Sequence, residues 1–194
     1  MNSRASRSMT VTAAVMDHAD VLEGEVLDAG CGAMPYKRLA FPNVTGWTGL
    51  DIREGVGQIQ GDVCDMPIPD ESFDSVLCVD VLQFAIDPAM AVHEFHRVLK
   101  PGGTLLLIAP NCVETENGGF WGFRGEGLRL LLAQADFEVE TVLTAGRQFR
   151  NEFENSKMSK HGFVLPAEVE GLIQQLDRNY PHVAVGVGRR VAPE

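Results

Sequence analysis

The chain has 194 residues, 45% hydrophobic and 22% charged, which is enough apolar material for one globular domain with a real core. Lys and Arg number 16 against 27 Asp and Glu, a net charge of -11, and this lacks the clustered cations that a nucleic-acid partner requires. No apolar run approaches the roughly 20 residues that span a bilayer, and the four cysteines, Cys31, Cys64, Cys78 and Cys112, form neither a CxxC pair nor a disulfide scaffold.

The stretch Met1 to Met16 carries Arg4, Arg7, several Ser and no acid, a composition that faintly resembles a mitochondrial transit peptide. The plainer reading is a tail and then a helix within residues 1–20, with Val11, Ala14, Val15 and Ala19 on one face. No secretory signal is read, because the apolar stretch is short and meets Asp17 and Asp20; reduced thiols and a cytoplasmic location are the expectation.

Glu25 to Ala29 is a short apolar run, read as a buried strand that ends in the tight turn Gly30-Cys31-Gly32. Tyr36 to Phe41 reads as a short helix. Gly46 to Asp51 is a second strand with a carboxylate at its end, and Gln58 to Gln60 a third that leads to Gly61 and Asp62. Ser72 to Val79 is the fourth. Pro88 opens a helix whose apolar face is Ala91, Phe95, Val98 and Leu99, and Pro101-Gly102-Gly103 stops it. Thr104 to Ala109 is nearly all apolar, as in the buried middle of a parallel sheet. Leu128, Leu131, Leu132 and Ala135 define another helix, and Phe137 to Leu143 a strand. Pro166 opens a last helix after the long polar loop 147–165, and His182 to Val191 is the final strand. Strand and helix alternate, which argues α/β with a largely parallel sheet. No linker divides the chain, so 1–194 is read as a single domain.

Chemistry gathers at the strand ends. Glycines after the first strand permit a tight turn and close approach of a ligand, and a helix beginning beyond them would favour an anion. Asp51 can accept both hydroxyls of a ribose, and Asp62 can reach an exocyclic amine of adenine. Ligands of doubly wound sheets bind at such strand ends. Each acid also has a plain structural reading as a turn residue.

Six runs, taken in order, resemble the class I S-adenosylmethionine-dependent methyltransferases, the last of them Glu126-Gly127-Leu128 through Ala135-Asp136-Phe137, like the helix before their sixth strand. Val26-Leu27-Asp28-Ala29-Gly30-Cys31-Gly32 is similar to their first motif and Gly49-Leu50-Asp51-Ile52 to their second. Gly61-Asp62-Val63-Cys64-Asp65-Met66-Pro67 resembles the adenine-contacting third, and Asp70 to Val76 the lead into the fourth strand. Phe95 to Thr104, with Lys100-Pro101-Gly102-Gly103 inside it, is the most specific match. The resemblance implies a Rossmann-like, doubly wound sheet of seven strands, mostly parallel with an antiparallel last strand. It also implies S-adenosyl-L-methionine as cofactor. Asp28, Gly30, Cys31 and Gly32 would shape the loop around its methionine part, Asp51 and Ile52 would hold the ribose side, and Asp62 and Val63 would border the adenine. Val79 and Asp80 would lie beside the transferred methyl, with Asp80 the candidate acid or base.

The chain departs from the pattern in two places. Many members carry a Glu-His pair after the fourth strand; here stand Gln83 and Phe84. Many carry a Thr-Pro start to the next helix; here stand Arg124 and Gly125. Phe120, Trp121, Phe123 and Arg124 are therefore candidates for an acceptor pocket, with core packing the alternative for the aromatics. Arg147, Arg150, Lys157 and Lys160 outnumber Glu152 and Glu154, so the loop could be a lid for an anionic acceptor or simply a solvated loop. His93 and His96 lack a third ligand, and no metal is expected. The expected activity is methyl transfer to a small polar acceptor, anionic or sugar-containing, at oxygen. A nucleotide-dependent oxidoreductase and a non-catalytic cofactor-binding module are the competing readings.

Overall fold

In a computed structural model of the chain, the residues described are 11–12, 14–39, 41–110, 119–144 and 183–192. Seven strands form one sheet: β1 (Gly24–Ala29), β2 (Val44–Asp51), β3 (Ile59–Gln60), β4 (Phe73–Val79), β5 (Leu99–Pro110), β6 (Phe137–Thr144) and β7 (Val183–Arg190). Their order is β3-β2-β1-β4-β5-β7-β6. The first five pair in parallel, and β7 runs antiparallel between β5 and β6. This is the α/β, Rossmann-like arrangement expected, with the reversed last strand.

The two faces of the sheet bury separate apolar layers. Val26, Leu77, Leu106 and Ile108 face one layer, where Val11, Ala14 and Val15 cover them. Leu27, Val76, Cys78, Leu105 and Leu107 face the other, against helix α1 (Pro88–Val98) and helix α2 (Gly125–Gln134). Alternation along each strand thus divides the core, because successive side chains leave opposite faces.

Helix α1 starts where Asp87 accepts the N–H groups of Ala89 (2.9 Å) and Met90 (3.2 Å), with Pro88 at the first helical position. Its buried face is Ala91, Val92, Phe95 and Val98. Burying each large apolar side chain contributes about 1.5–3 kcal/mol. Helix α2 follows Arg124, which offers no side-chain cap, in keeping with the lost Thr-Pro start. Strand β5 is longer than the expected 104–109: it takes in Leu99 to Gly103, where the register with β4 shifts between Phe73↔Leu99 and Ser75↔Thr104. The expected helix at 36–41 is a 3-10 turn, Tyr36–Arg38. The last helix and the loop 147–165 lie outside the described residues. Among the described residues no helix is long and apolar enough to cross a membrane.

The loop 61–71, which carries Asp62, is tied to α1 by one side chain. Arg97 donates to the carbonyls of Met66 (3.1 Å) and Ile68 (2.7 Å), to Asp70 (2.8 Å) and to Glu94 (2.6 Å). Glu94 in turn accepts the Met66 N–H at 2.7 Å. Replacing Arg97 by Leu strips these carbonyls of a charged donor; a loss of about 2–3 kcal/mol in urea unfolding is expected. A change below about 0.5 kcal/mol would show that the loop holds itself.

Candidate functional site

The strand order reverses between β1 and β4, and a crevice opens at their carboxyl ends, as it does in doubly wound sheets. A cavity of about 630 Å³ sits there, within the range of small-ligand sites. Gly30 comes from the turn after β1, Asp51, Ile52 and Arg53 from the end of β2, and Gly61, Asp62 and Val63 from the loop after β3. Asp80, Val81, Phe84, Ala85 and Ile86 follow β4.

The glycine turn is shaped by its own backbone. Gly30 has φ +75°, and a Cβ there would collide with Val81. Gly30 N–H and Cys31 N–H both donate to the Leu50 carbonyl, at 2.7 and 2.9 Å. Gly32 N–H donates to Asp51 Oδ2 at 2.9 Å. All three N–H groups are thus engaged inside the protein. The described residues beyond the turn form only the short 3-10 turn, so the helix N-terminus expected there does not form. A pyrophosphate needs such free N–H groups and a helix end. The turn is therefore ill suited to a pyrophosphate.

Asp51 is the best-tethered group of the site. Oδ1 accepts from Arg53 N–H (3.1 Å) and Nε (2.9 Å); Oδ2 accepts from Gly32 N–H and Arg53 Nη2 (3.1 Å). The Arg53 hydrogen bonds hold the carboxyl down to about 2, against the opposing effect of burial. With four bonds its acceptor capacity is filled. A ribose diol must displace the Arg53 side chain, which is exposed and can turn away.

Asp62 spends one oxygen on the Cys64 N–H (2.9 Å), so the turn role is real, and the residue still lines the cavity. Asp80 has φ +55°, a conformation costly for most side chains but tolerated by Asp. Its N–H donates to the Ile108 carbonyl (2.9 Å), and its carbonyl accepts from Gln83 Nε2 (2.9 Å). Gln83 Oε1 is buried with no partner, a cost of about 1–3 kcal/mol.

The remaining expected residues stand behind the wall. Asp28 is 2% exposed and accepts from Trp47 Nε1 at 3.3 Å. Burial pushes its carboxyl up to about 7; the Trp47 bond opposes this and the Asp51 charge adds to it. Cys31 is buried, and burial, then the charges of Asp28 and Asp51, raise its thiol to about 11, so it stays protonated. Gly32 lines a shallower concavity beside the first, with Arg53 shared between them. Val79 belongs to the core. Of the acceptor candidates, Trp121 is exposed, whereas Phe123 is 5% exposed and packs in the core, on the side of the alternative reading. Arg124 precedes α2; Arg147 and Arg150 lie outside the described residues. Among the described residues no group of His, Cys, Asp and Glu is placed to hold a metal. No motif foreshadows Arg53 or Tyr36. Burial and then the charges of Asp80 and Asp28 push the Tyr36 hydroxyl up, which locates it near both acids.

A Rossmann-like crevice at the carboxyl ends of the strands, lined by Asp51, Asp62 and Asp80 beside apolar side chains, defines an α/β protein with the ligand site of a doubly wound sheet. Residues 27–107 match the model of the methyltransferase domain family. A protein of Mycolicibacterium smegmatis named a probable S-adenosylmethionine-dependent methyltransferase is 31% identical over 138 residues, covering 61% of this chain and 54% of that protein. The fatty-acid O-methyltransferase of the same organism is 35% identical over 104 residues, covering 45% and 38%. The chain thus spans about half the length, or less, of these curated relatives. The structure of an S-adenosylmethionine-dependent methyltransferase from Mesorhizobium loti superposes with a TM-score of 0.62 at 14% identity, covering 93% of this chain and 98% of that one. Residues 27–107 are thus similar to a methyltransferase domain, the chain has the fold of a solved S-adenosylmethionine-dependent methyltransferase, and the first of these relatives is named for its dependence on S-adenosylmethionine. The residues present fit S-adenosylmethionine: Asp51 would meet the ribose diol, Asp62 the adenine edge and Ile52 its face.

Two outcomes follow from these charges. Between the ordinary carboxyl value of 3.8 and about 7, the folded chain keeps the Asp28 proton and the unfolded chain has released it. Stability therefore falls as pH rises through that window. Asp28→Asn removes this titration, so its melting temperature should gain on wild type across the window and keep the lead above it. A constant difference in scanning calorimetry would refute a raised carboxyl. Arg53→Ala frees Asp51 of its exposed competitor, and S-adenosylhomocysteine should bind about two- to fivefold tighter. Weaker binding would mean that Arg53 helps hold the ligand.

Proposed function

We propose that the chain transfers a methyl group from S-adenosylmethionine to an oxygen of a small-molecule acceptor. The observation that carries this reading is Asp51, fixed at the end of β2 on the wall of a cavity whose glycine turn has no N–H left for a phosphate. Bound there, the cofactor supplies a methyl on a sulfonium, a leaving group that needs no further activation.

The chain's own residues have a modest task. Asp51 and Gly32 fix the ribose end, Asp62 and Val63 the adenine end, and the turn at Gly30 leaves room for the rest. Asp80, its backbone held by the Ile108 carbonyl and the Gln83 amide, lines the part of the cavity that follows β4. It takes the proton of a hydroxyl acceptor. Most of the rate comes from alignment, which is worth on the order of 7–11 kcal/mol when the reacting atoms are held in line. Buried Asp28 acts from behind the turn, as a polar prop under the methionine end.

The reading is tested by titrating S-adenosylhomocysteine into wild type and Asp51→Ala. Losing hydrogen bonds to an ionised group should weaken binding by at least about tenfold. A folded wild type that does not bind would sink the methyltransferase reading.

A further inference from the structure

Nine large apolar side chains are exposed among the described residues, and five of them, Ile52, Phe84, Ile86, Phe120 and Trp121, belong to the cavity wall or to the segment hydrogen-bonded to it. Ile52, Phe84 and Ile86 line the cavity. Phe120 and Trp121 are fastened to the same wall, their N–H groups donating to the Gln83 carbonyl at 2.7 and 3.3 Å. The Trp121 indole N–H donates to the Ala85 carbonyl at 2.9 Å. Met90 stands in the first turn of α1, just beyond Ile86.

A contiguous exposed apolar patch marks a ligand or partner surface. This one is continuous with the cavity in which a methyl acceptor must arrive. The indole N–H is already spent on the protein, so Trp121 offers its ring and not a hydrogen bond. The stretches 84–86 and 120–121 contain no polar side chain at all. A sugar or a phosphorylated acceptor would lose hydration against them without compensation. The cofactor's nucleoside accounts for Ile52; it leaves Ile86 at 74% exposed, Phe120 at 65% and Trp121 at 43%.

We propose, on the methyltransferase reading above, that this wall is the acceptor subsite and that the acceptor is amphipathic: an apolar chain or ring carrying one oxygen nucleophile. Its apolar body lies along Phe84, Ile86, Phe120 and Trp121, and its oxygen turns to the Asp80 end of the cavity. The oxygen forms the new O–C bond as the methyl carbon's bond to sulfur breaks, and the sulfur keeps that electron pair as a neutral thioether. A carboxylate loses its charge on becoming the ester; a hydroxyl gives its proton to Asp80. This departs from the small polar acceptor expected from the family resemblance.

The test is calorimetry on the full chain saturated with S-adenosylhomocysteine, with hexanoate, octanoate and decanoate as probes and gluconate as a polar probe of equal charge. Affinity should rise about fourfold per added methylene while the chain is being buried, and gluconate should not bind. Ile86→Ser and Phe120→Ser, both at exposed positions that the fold does not need, should each weaken decanoate about tenfold. Gluconate binding as tightly as decanoate, no dependence on chain length, or indifference to both substitutions would overturn the proposal. So would a wild type that sediments as a dimer and an Ile86→Ser that sediments as a monomer, which would give the patch to a second copy. Failure of S-adenosylhomocysteine to bind wild type is a different result, and it removes the cofactor reading on which the subsite rests.

Discussion

Strand β1 pairs in parallel with β2 on one side and β4 on the other, residue by residue from Val26 to Ala29. The rest of the molecule is organised by that double pairing. It makes β1 the strand at which the sheet's winding changes direction, so the connections leaving β1 and β4 diverge and a crevice opens between them. It also buries the last residues of β1 from both faces. Asp28 is therefore an acid where the strand pattern calls for an apolar residue, and its raised carboxyl is the measure of that conflict. Natural chains break a local rule of this kind chiefly where a site requires it.

The division of labour among the acids follows from the same geometry. Asp28 and Asp51 lie near the carboxyl ends of neighbouring strands, yet one carboxyl is pushed up and the other held down. The difference lies in partners. Asp51 reaches the strand end, where a guanidinium and two N–H groups can meet it; Asp28, in register with Gly49, sits two residues deeper and accepts from the Trp47 indole N–H. One group is thus a fixed negative charge facing the cavity, and the other is close to neutral beneath it.

Much of this was legible in the sequence, for identifiable reasons. Asp51 and Asp62 stand at or just after the ends of short strand-like stretches, and the run from Phe95 to Thr104 combines a helical stripe, a Pro-Gly-Gly stop and a buried strand. Those patterns are local, and local patterns survive folding. What was not legible depends on contacts across the chain. The glycine turn looks like a phosphate cradle until the Leu50 carbonyl, from the next strand, takes two of its N–H groups. Arg53 looks like any exposed cation until its fork closes on Asp51. Phe123 and Trp121 are near neighbours with opposite fates, because the Phe123 N–H pairs with the Pro110 carbonyl and draws that ring inward, while Trp121 is fastened to the Ala85 carbonyl and faces out.

The insertion of β7 between β5 and β6 sets the order in which the chain can be finished on the ribosome. Strand β5 emerges early and holds the most apolar stretch of the sheet, Leu105 to Ala109, yet its second neighbour is the last strand in the sequence. Until Val183 to Arg190 has been made, that edge is an open row of amide and carbonyl groups flanked by aliphatic side chains, the kind of edge that pairs with other chains. The nascent protein is most exposed to aggregation in the interval between completing β5 and threading β7, and Arg189 and Arg190, which lock onto Glu140 and Glu71 when β7 arrives, end that interval.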